Sequence, residues 1–144
     1  MFSKACEYGI KALLYVATQS LLDKRVKIGD IVDNVDSPEA FTGKILGALT
    51  KQGIVNSYTG PYGGFEISKS KMKEVSVKDI VLAIDGDLSY NGCLLGLSEC
   101  NDLEPCPMHK AYAKVRFQYK SMLEKTTVYD LAMGIKSGKS ILMN

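Results

Sequence analysis

Three of the four cysteines, Cys93, Cys100 and Cys106, fall within 14 residues, and the only histidine, His109, follows three positions after the last of them. The pattern Cys93-x6-Cys100-x5-Cys106-x2-His109 offers three thiolates and one imidazole, a complete ligand set for one metal centre. Soft sulfur donors favour an iron–sulfur cluster or zinc over hard cations, and the spacing alone does not separate these two. Thiol redox sensing without a metal is a second chemistry open to the trio, and a plain structural role is a third. Cys6 lies far from this loop and reads as a small core filler. No catalytic arrangement competes. With one histidine, no glycine-rich phosphate loop after a strand, and the thiols grouped on one loop, no enzymatic activity is expected.

The chain has 144 residues, 46% hydrophobic and 24% charged, which is the balance of one folded domain. The longest wholly apolar run near the N-terminus is Ala12–Ala17. A membrane helix needs about 20 such residues and a signal peptide at least about 7, so a cytoplasmic protein without membrane contact is expected. In that reducing compartment, clustered cysteines point to metal or redox chemistry more than to a disulfide framework. The net charge of +2 does not by itself announce a nucleic-acid partner, and only two of the 18 basic residues are arginine, Arg25 and Arg116. Any DNA-binding charge must be focused locally.

The elements that must carry the loop follow from periodicity. Ile10, Leu13, Leu14 and Ala17 mark a helix over Ser3–Leu22, and Ile28, Ile31, Val32 and Val35 mark a second over Ile28–Val35. A third starts at Asp36-Ser37-Pro38-Glu39, with Ser37 as cap, Pro38 at the first helical position and Phe41, Ile45 and Leu49 as the buried stripe. Gly53 is placed to end it. The β-prone runs Ile54–Tyr58 and Phe65–Ser68 flank a Gly/Pro loop and predict a hairpin. Ser76-Val77-Lys78-Asp79 reads as a capping box opening a helix that Gly86 stops, and Thr127–Asp130 caps a short last helix. Between them, Met108, Tyr112, Val115, Tyr119 and Met122 step by 4, 3, 4, 3, a heptad seam on a helix from Pro107 to Lys125.

The predicted fold class is mainly α with a small β-hairpin: a winged helix-turn-helix plus a long dimerisation helix. The third helix then lies in the major groove and exposes Ala40, Thr42, Gly43, Lys44, Gly47 and Lys51. Gly43 and Gly47 each cost the helix about 1 kcal/mol relative to alanine. Close approach to DNA and close packing on the first helix explain that cost equally well. A tri-helical domain with a hairpin also serves as a protein-binding module, so the pattern alone does not fix function.

Tyr8–Leu13, Phe41–Leu46, Leu49–Val55 and Ser57–Phe65, with the wing string Gly60-x-x-Gly63-Gly64-Phe65, closely resemble the IscR/NsrR/CymR family of bacterial winged-helix regulators. The resemblance continues through Val75–Ile80 and the cysteines and ends near Thr127–Leu131, covering almost the whole chain. It implies a homodimeric transcription regulator on double-stranded DNA, joined by the long helix, with DNA contacts from Thr42, Gly43, Lys44, Lys51, Tyr58, Thr59 and Tyr62. Many members carry a basic residue where Thr59 stands, so Lys69, Lys71 or Lys73 is expected to supply phosphate contacts instead. It further implies a 2Fe–2S rather than a 4Fe–4S cluster on Cys93, Cys100, Cys106 and His109, although one extra residue separates the first two cysteines. In NsrR-like members an N-terminal carboxylate of the partner subunit completes the cluster, at a position matching Glu7.

The resulting organisation is a DNA-binding domain over 1–86, a cysteine sensor loop over 87–107, the dimerisation helix and a short last helix over 107–135, and a flexible tail over 136–144. The expected function is transcription regulation in response to redox, nitric oxide or iron–sulfur status. The alternative is a cluster-free regulator controlled by thiol oxidation or by docking of a metabolic enzyme.

Overall fold

The computed structural model describes residues 2–87 and 91–143, which form seven named α-helices and one antiparallel hairpin. Helix α1 (Lys4–Ser20) opens at Ser3, whose hydroxyl accepts the Cys6 N–H, and it buries Ala12, Leu13, Val16 and Ala17 completely. It packs against α2 (Ile28–Val35), α3 (Glu39–Lys51), α5 (Val77–Asp85) and α7 (Val128–Lys136). At Gly9 the approach is so close that an added Cβ would collide with Ile84 of α5. The principal core gathers on this helix, with Ile31, Val35, Leu46, Leu49, Ile67 and Ile80 among its members.

The turn between α2 and α3 is short, and Asp36 adopts the left-handed conformation (φ 50°) that ends α2. Ser37 does not cap α3. Pro38 occupies the cap position, and the Ser37 hydroxyl lies 2.7 Å from the Thr42 hydroxyl instead. Two positions of α3 also exchange their expected roles. Phe41 is 38% exposed, stacked edge-on against Tyr8 of α1, while Thr42 is fully buried with its hydroxyl 2.8 Å from the Pro38 carbonyl oxygen. A short polar side chain that satisfies the first turn from within leaves the bulkier ring at the rim.

Strands β1 (Asn56–Tyr58) and β2 (Gly64–Glu66) pair Ser57 with Phe65, and Val26 adds a further rung through two backbone bonds to Phe65. Gly64 sits at φ 134°, and an added Cβ would lie 2.7 Å from the Val26 carbonyl oxygen, so the rung needs glycine there. The sequence reading missed helix α4 (Lys69–Glu74). Ser68 caps it and Met72 is its one buried residue, too few apolar positions to show a period.

Both predicted capping boxes are present, Ser76 with Asp79 and Thr127 with Asp130. They are also joined: Val77 N–H donates to Thr126 O and Val128 N–H to Val75 O, at 2.9 and 3.0 Å. The starts of α5 and α7 are thus sewn together at the C-terminal end of α6 (His109–Lys125). Helix α6 begins at His109, two residues after the Pro107 start expected from the seam, so His109 is its first residue. Leu123 is its one buried residue, set among Cys6, Val77 and Val81 in a second core cluster. The seam positions Met108, Val115 and Met122 are exposed.

Helix α7 turns back onto α1 and buries Val128 and Ala132 in the principal core, so its packing is that of the winged domain rather than of α6. The segment after it is tied down further than a loose tail would be. Lys139 and Ser140 N–H both donate to the Gly134 carbonyl, and Leu142 packs on the core. Among the described residues, no helix is long and apolar enough to cross a membrane.

Candidate functional site

The three cysteines and His109 come together as two pairs. Cys93 Sγ lies 3.6 Å from Cys106 Sγ, and Cys100 Sγ lies 3.5 Å from His109 Nδ1. Among the described residues, no three Cys, His, Asp or Glu side chains converge on one metal-ion position. Two thiolates at tetrahedral angles on one metal, with bonds of about 2.3 Å, stand about 3.8 Å apart, and a thiolate and an imidazole about 3.6 Å. Each pair has the spacing of two ligands on one metal, and the two pairs do not share a single position.

The surroundings suit anionic sulfur. The backbone N–H of Leu97, aided by those of Leu95 and Gly96 and by the Cys106 thiol, holds the Cys93 thiol below its ordinary range despite some desolvation. At Cys100 the donor is Arg116, whose Nη2 lies 2.9 Å from Sγ and 3.1 Å from the Gly92 carbonyl oxygen. Arg116 Nε is buried without a hydrogen-bond partner among the described residues, a state that costs about 1–3 kcal/mol unless an acceptor arrives. His109 turns Nε2 to the Asp102 carboxylate at 2.7 Å and leaves Nδ1 facing Cys100. A carboxylate on the far nitrogen is the usual way to orient a ligating imidazole. Beyond His109 and Arg116, Lys120 also ties α6 to the loop, donating to Asn91 Oδ1 at 3.2 Å.

Cys6 and Glu7 stand apart from this group. Cys6 is fully buried, and burial, with Asp85 nearby, pushes its thiol up to about 12, as suits a core filler. Glu7 pairs with Lys4 one turn back in its own helix, at 3.0 Å.

On the face predicted to meet DNA, Lys44, Gly47 and Lys51 of α3 are exposed. Thr42 is removed from that face by its burial. Gly43 is half-buried, and an added Cβ would meet Ile28 of α2 at 3.0 Å, whereas Gly47 faces open space. Neither glycine is explained by packing on α1: Gly43 lets α2 approach, and Gly47 leaves a smooth outer surface.

In the wing, Tyr58, Thr59 and Tyr62 are exposed, Tyr62 to 89%. Arg25 stacks on Tyr58 with its guanidinium carbon 3.7 Å from the ring centroid, and its Nε donates to Glu66 at 3.1 Å. Lys69, at the start of α4, leans over Tyr129 of α7 at 5.8 Å. Sequence reasoning noted the scarcity of arginine but gave neither Arg25 nor Arg116 a place. For Arg116 a signal existed: it lies seven residues after His109, two helical turns along the same face of α6. For Arg25 none did, because its partners are 33 and 41 positions away.

Comparison with known proteins agrees with this architecture. A family model described as Rrf2, iron-dependent transcriptional regulator, matches residues 2–134. A helix-turn-helix transcriptional regulator of Aquifex aeolicus is 31% identical over 133 residues, covering 91% of this chain and 90% of that protein. The transcriptional regulator IscR of Yersinia enterocolitica is 26% identical over 124 residues, covering 86% and 74%. Among solved structures, the global cysteine regulator CymR of B. subtilis superposes with a TM-score of 0.75 at 21% identity, covering 92% of this chain and 96% of its own. IscR of T. potens gives 0.72 at 18% identity, covering 97% and 91%. Those two likenesses establish the winged-helix fold. The sequence matches settle the lineage, which is one of DNA-binding regulators and not of enzymes: the chain belongs to the Rrf2 family of transcriptional regulators.

Proposed function

We propose that this regulator senses its signal through a two-iron, two-sulfide cluster, with Cys93 and Cys106 on one iron and Cys100 and His109 on the other. The observation that carries the reading is the two-by-two pairing, at 3.6 and 3.5 Å. A single zinc ion needs all four ligands around one point, whereas a dinuclear cluster takes two protein ligands per metal. The Arg116 Nε, unpartnered among the described residues, and the backbone donors around Cys93 support the presence of anionic sulfur here. When bound, the cluster supplies a one-electron couple and a target for oxidants and nitric oxide. His109 is favoured over Glu7 as fourth ligand because it already faces Cys100 and is oriented by Asp102.

The regulator acts in this reading as a cytoplasmic homodimer. The α6 seam leaves Met108, Val115 and Met122 exposed at heptad spacing, Val115 to 54%, an apolar stripe that a second α6 would cover. Lys44 and Lys51, with Gly43 and Gly47 between and beside them, would face the major groove. Tyr58, Thr59 and Tyr62 of the wing would meet the adjacent backbone, with Lys69 as an outlying phosphate contact. With threonine at position 59, Arg25 is the guanidinium that the wing carries on its outer face.

A second reading rests on the same Cys93–Cys106 pair. Without a cluster, loss of two protons and two electrons to a peroxide or an external disulfide would close an S–S bond between them. Iron and acid-labile sulfide analysis of anaerobically prepared protein separates the two readings.

Three expectations follow from this assignment. Cys93→Ser, Cys100→Ser and Cys106→Ser should each abolish the visible absorption of anaerobic protein, Cys6→Ser should leave it intact, and His109→Ala should shift and destabilise it. Retention of one unchanged chromophore by all three loop variants would contradict the ligand set. Lys44→Ala or Lys51→Ala should weaken operator binding, and loss of a phosphate contact should lower the slope of log affinity against log salt by about one; titrations at several salt concentrations measure both. Val115→Glu would place a charge in the seam and should yield monomers by light scattering; a normal dimer would put the interface elsewhere.

A further inference from the structure

We propose that Arg116 is a positioning residue for the cluster, holding the Cys100 end of the loop on α6 and setting the electron affinity of what Cys100 ligates. This rests on the cluster reading above. One guanidinium nitrogen, Nη2, bridges Gly92 O at 3.1 Å and Cys100 Sγ at 2.9 Å, so a single group spans two loop positions eight residues apart. The guanidinium also lies 5.0 Å from the Tyr112 ring one turn back, a stacking that limits its alternatives.

The remaining donor is informative. Nε is buried and finds no acceptor among the described residues, although it belongs to the group that already grips Cys100. A sulfur-rich anionic centre anchored at Cys100 supplies such an acceptor, which the described residues do not. Charge then decides the direction of the effect. Reduction adds negative charge to the centre, and a cationic N–H donor on its sulfur stabilises that state, so Arg116 raises the reduction potential. The residue is flanked in sequence by Val115 and Phe117, both exposed on α6. The side chain that reads Cys100 is therefore part of the helix whose outer face is open to a second copy of the chain, and a displaced Cys100 loads that helix directly.

The test uses the full chain, reconstituted anaerobically with ferrous iron and sulfide, as native protein, Arg116→Gln and Arg116→Lys. Both variants should hold native amounts of iron and sulfide and unfold at the native temperature. The glutamine variant should show a lower reduction potential in dye-mediated titration and lose its cluster in air about 10- to 100-fold faster, with the lysine variant in between. Equal potentials and equal loss rates in native and glutamine proteins overturn the proposal and leave the cluster reading standing. A native protein that takes up no iron overturns both. Should Arg116→Gln not fold, Arg116→Lys decides through the rate of cluster loss in air, since it keeps the charge but not the fork that bridges Gly92 and Cys100: an unchanged rate in that variant overturns the proposal.

Discussion

Helix α6 runs for 17 residues and buries one side chain, Leu123, in its own chain. A helix gains most of its stability from a packed apolar face, and α6 lacks one within the protomer. Its placement rests on two sets of contacts, one to the core at its C-terminal end and one to the cysteine loop along the rest of its length. Toward the C-terminus, Leu123 inserts beside Cys6, Val77 and Val81, Lys78 pairs with Glu124 at 3.0 Å, and the backbone of Thr126 accepts from Val77. In its N-terminal two-thirds, His109, Arg116 and Lys120 hold Cys100, Gly92 and Asn91 of the loop. Loop and helix therefore position each other.

That arrangement gives the loop a packed route to the DNA-binding half. Helix α6 packs on α5, and α5 packs on both α3 and α1. The route is short because Ser76 and Thr127 pair their backbones, so the end of α6 and the starts of α5 and α7 form one rigid junction. For this junction to transmit a signal, two arrangements of α6 must differ in DNA affinity. Its sparse burial within its own chain would make such a second arrangement inexpensive, since few intrachain contacts have to be broken to reach one.

Every helix but α4, the hairpin and both capping boxes were legible in the sequence because each has a local signature: an apolar period, a Gly/Pro loop, or Ser/Thr three residues before Asp. Misreadings arose where a local signal competed with a tertiary one. Phe41 belonged to the apolar stripe by spacing, yet Thr42 took the inner position because its hydroxyl could be satisfied by Ser37 and the Pro38 carbonyl. Helix α4 was invisible because a six-residue element with one buried side chain has no measurable period. At the site, the candidate ligand residues stood out by type and spacing, but their division into two pairs did not. That division depends on how 14 residues of aperiodic backbone fold, with Arg116 reaching in from α6.

In the proposed cluster, two ligand pairs serve two irons in different environments. Mössbauer spectroscopy of anaerobic protein reconstituted with iron-57 and sulfide tests this most directly. An iron held by Cys93 and Cys106 has sulfur on all sides, and one held by Cys100 and His109 has a nitrogen in place of one sulfur. Two quadrupole doublets of equal area with distinct isomer shifts are expected. A single doublet, or protein that takes up one zinc ion in preference to iron and sulfide, would contradict the two-iron assignment.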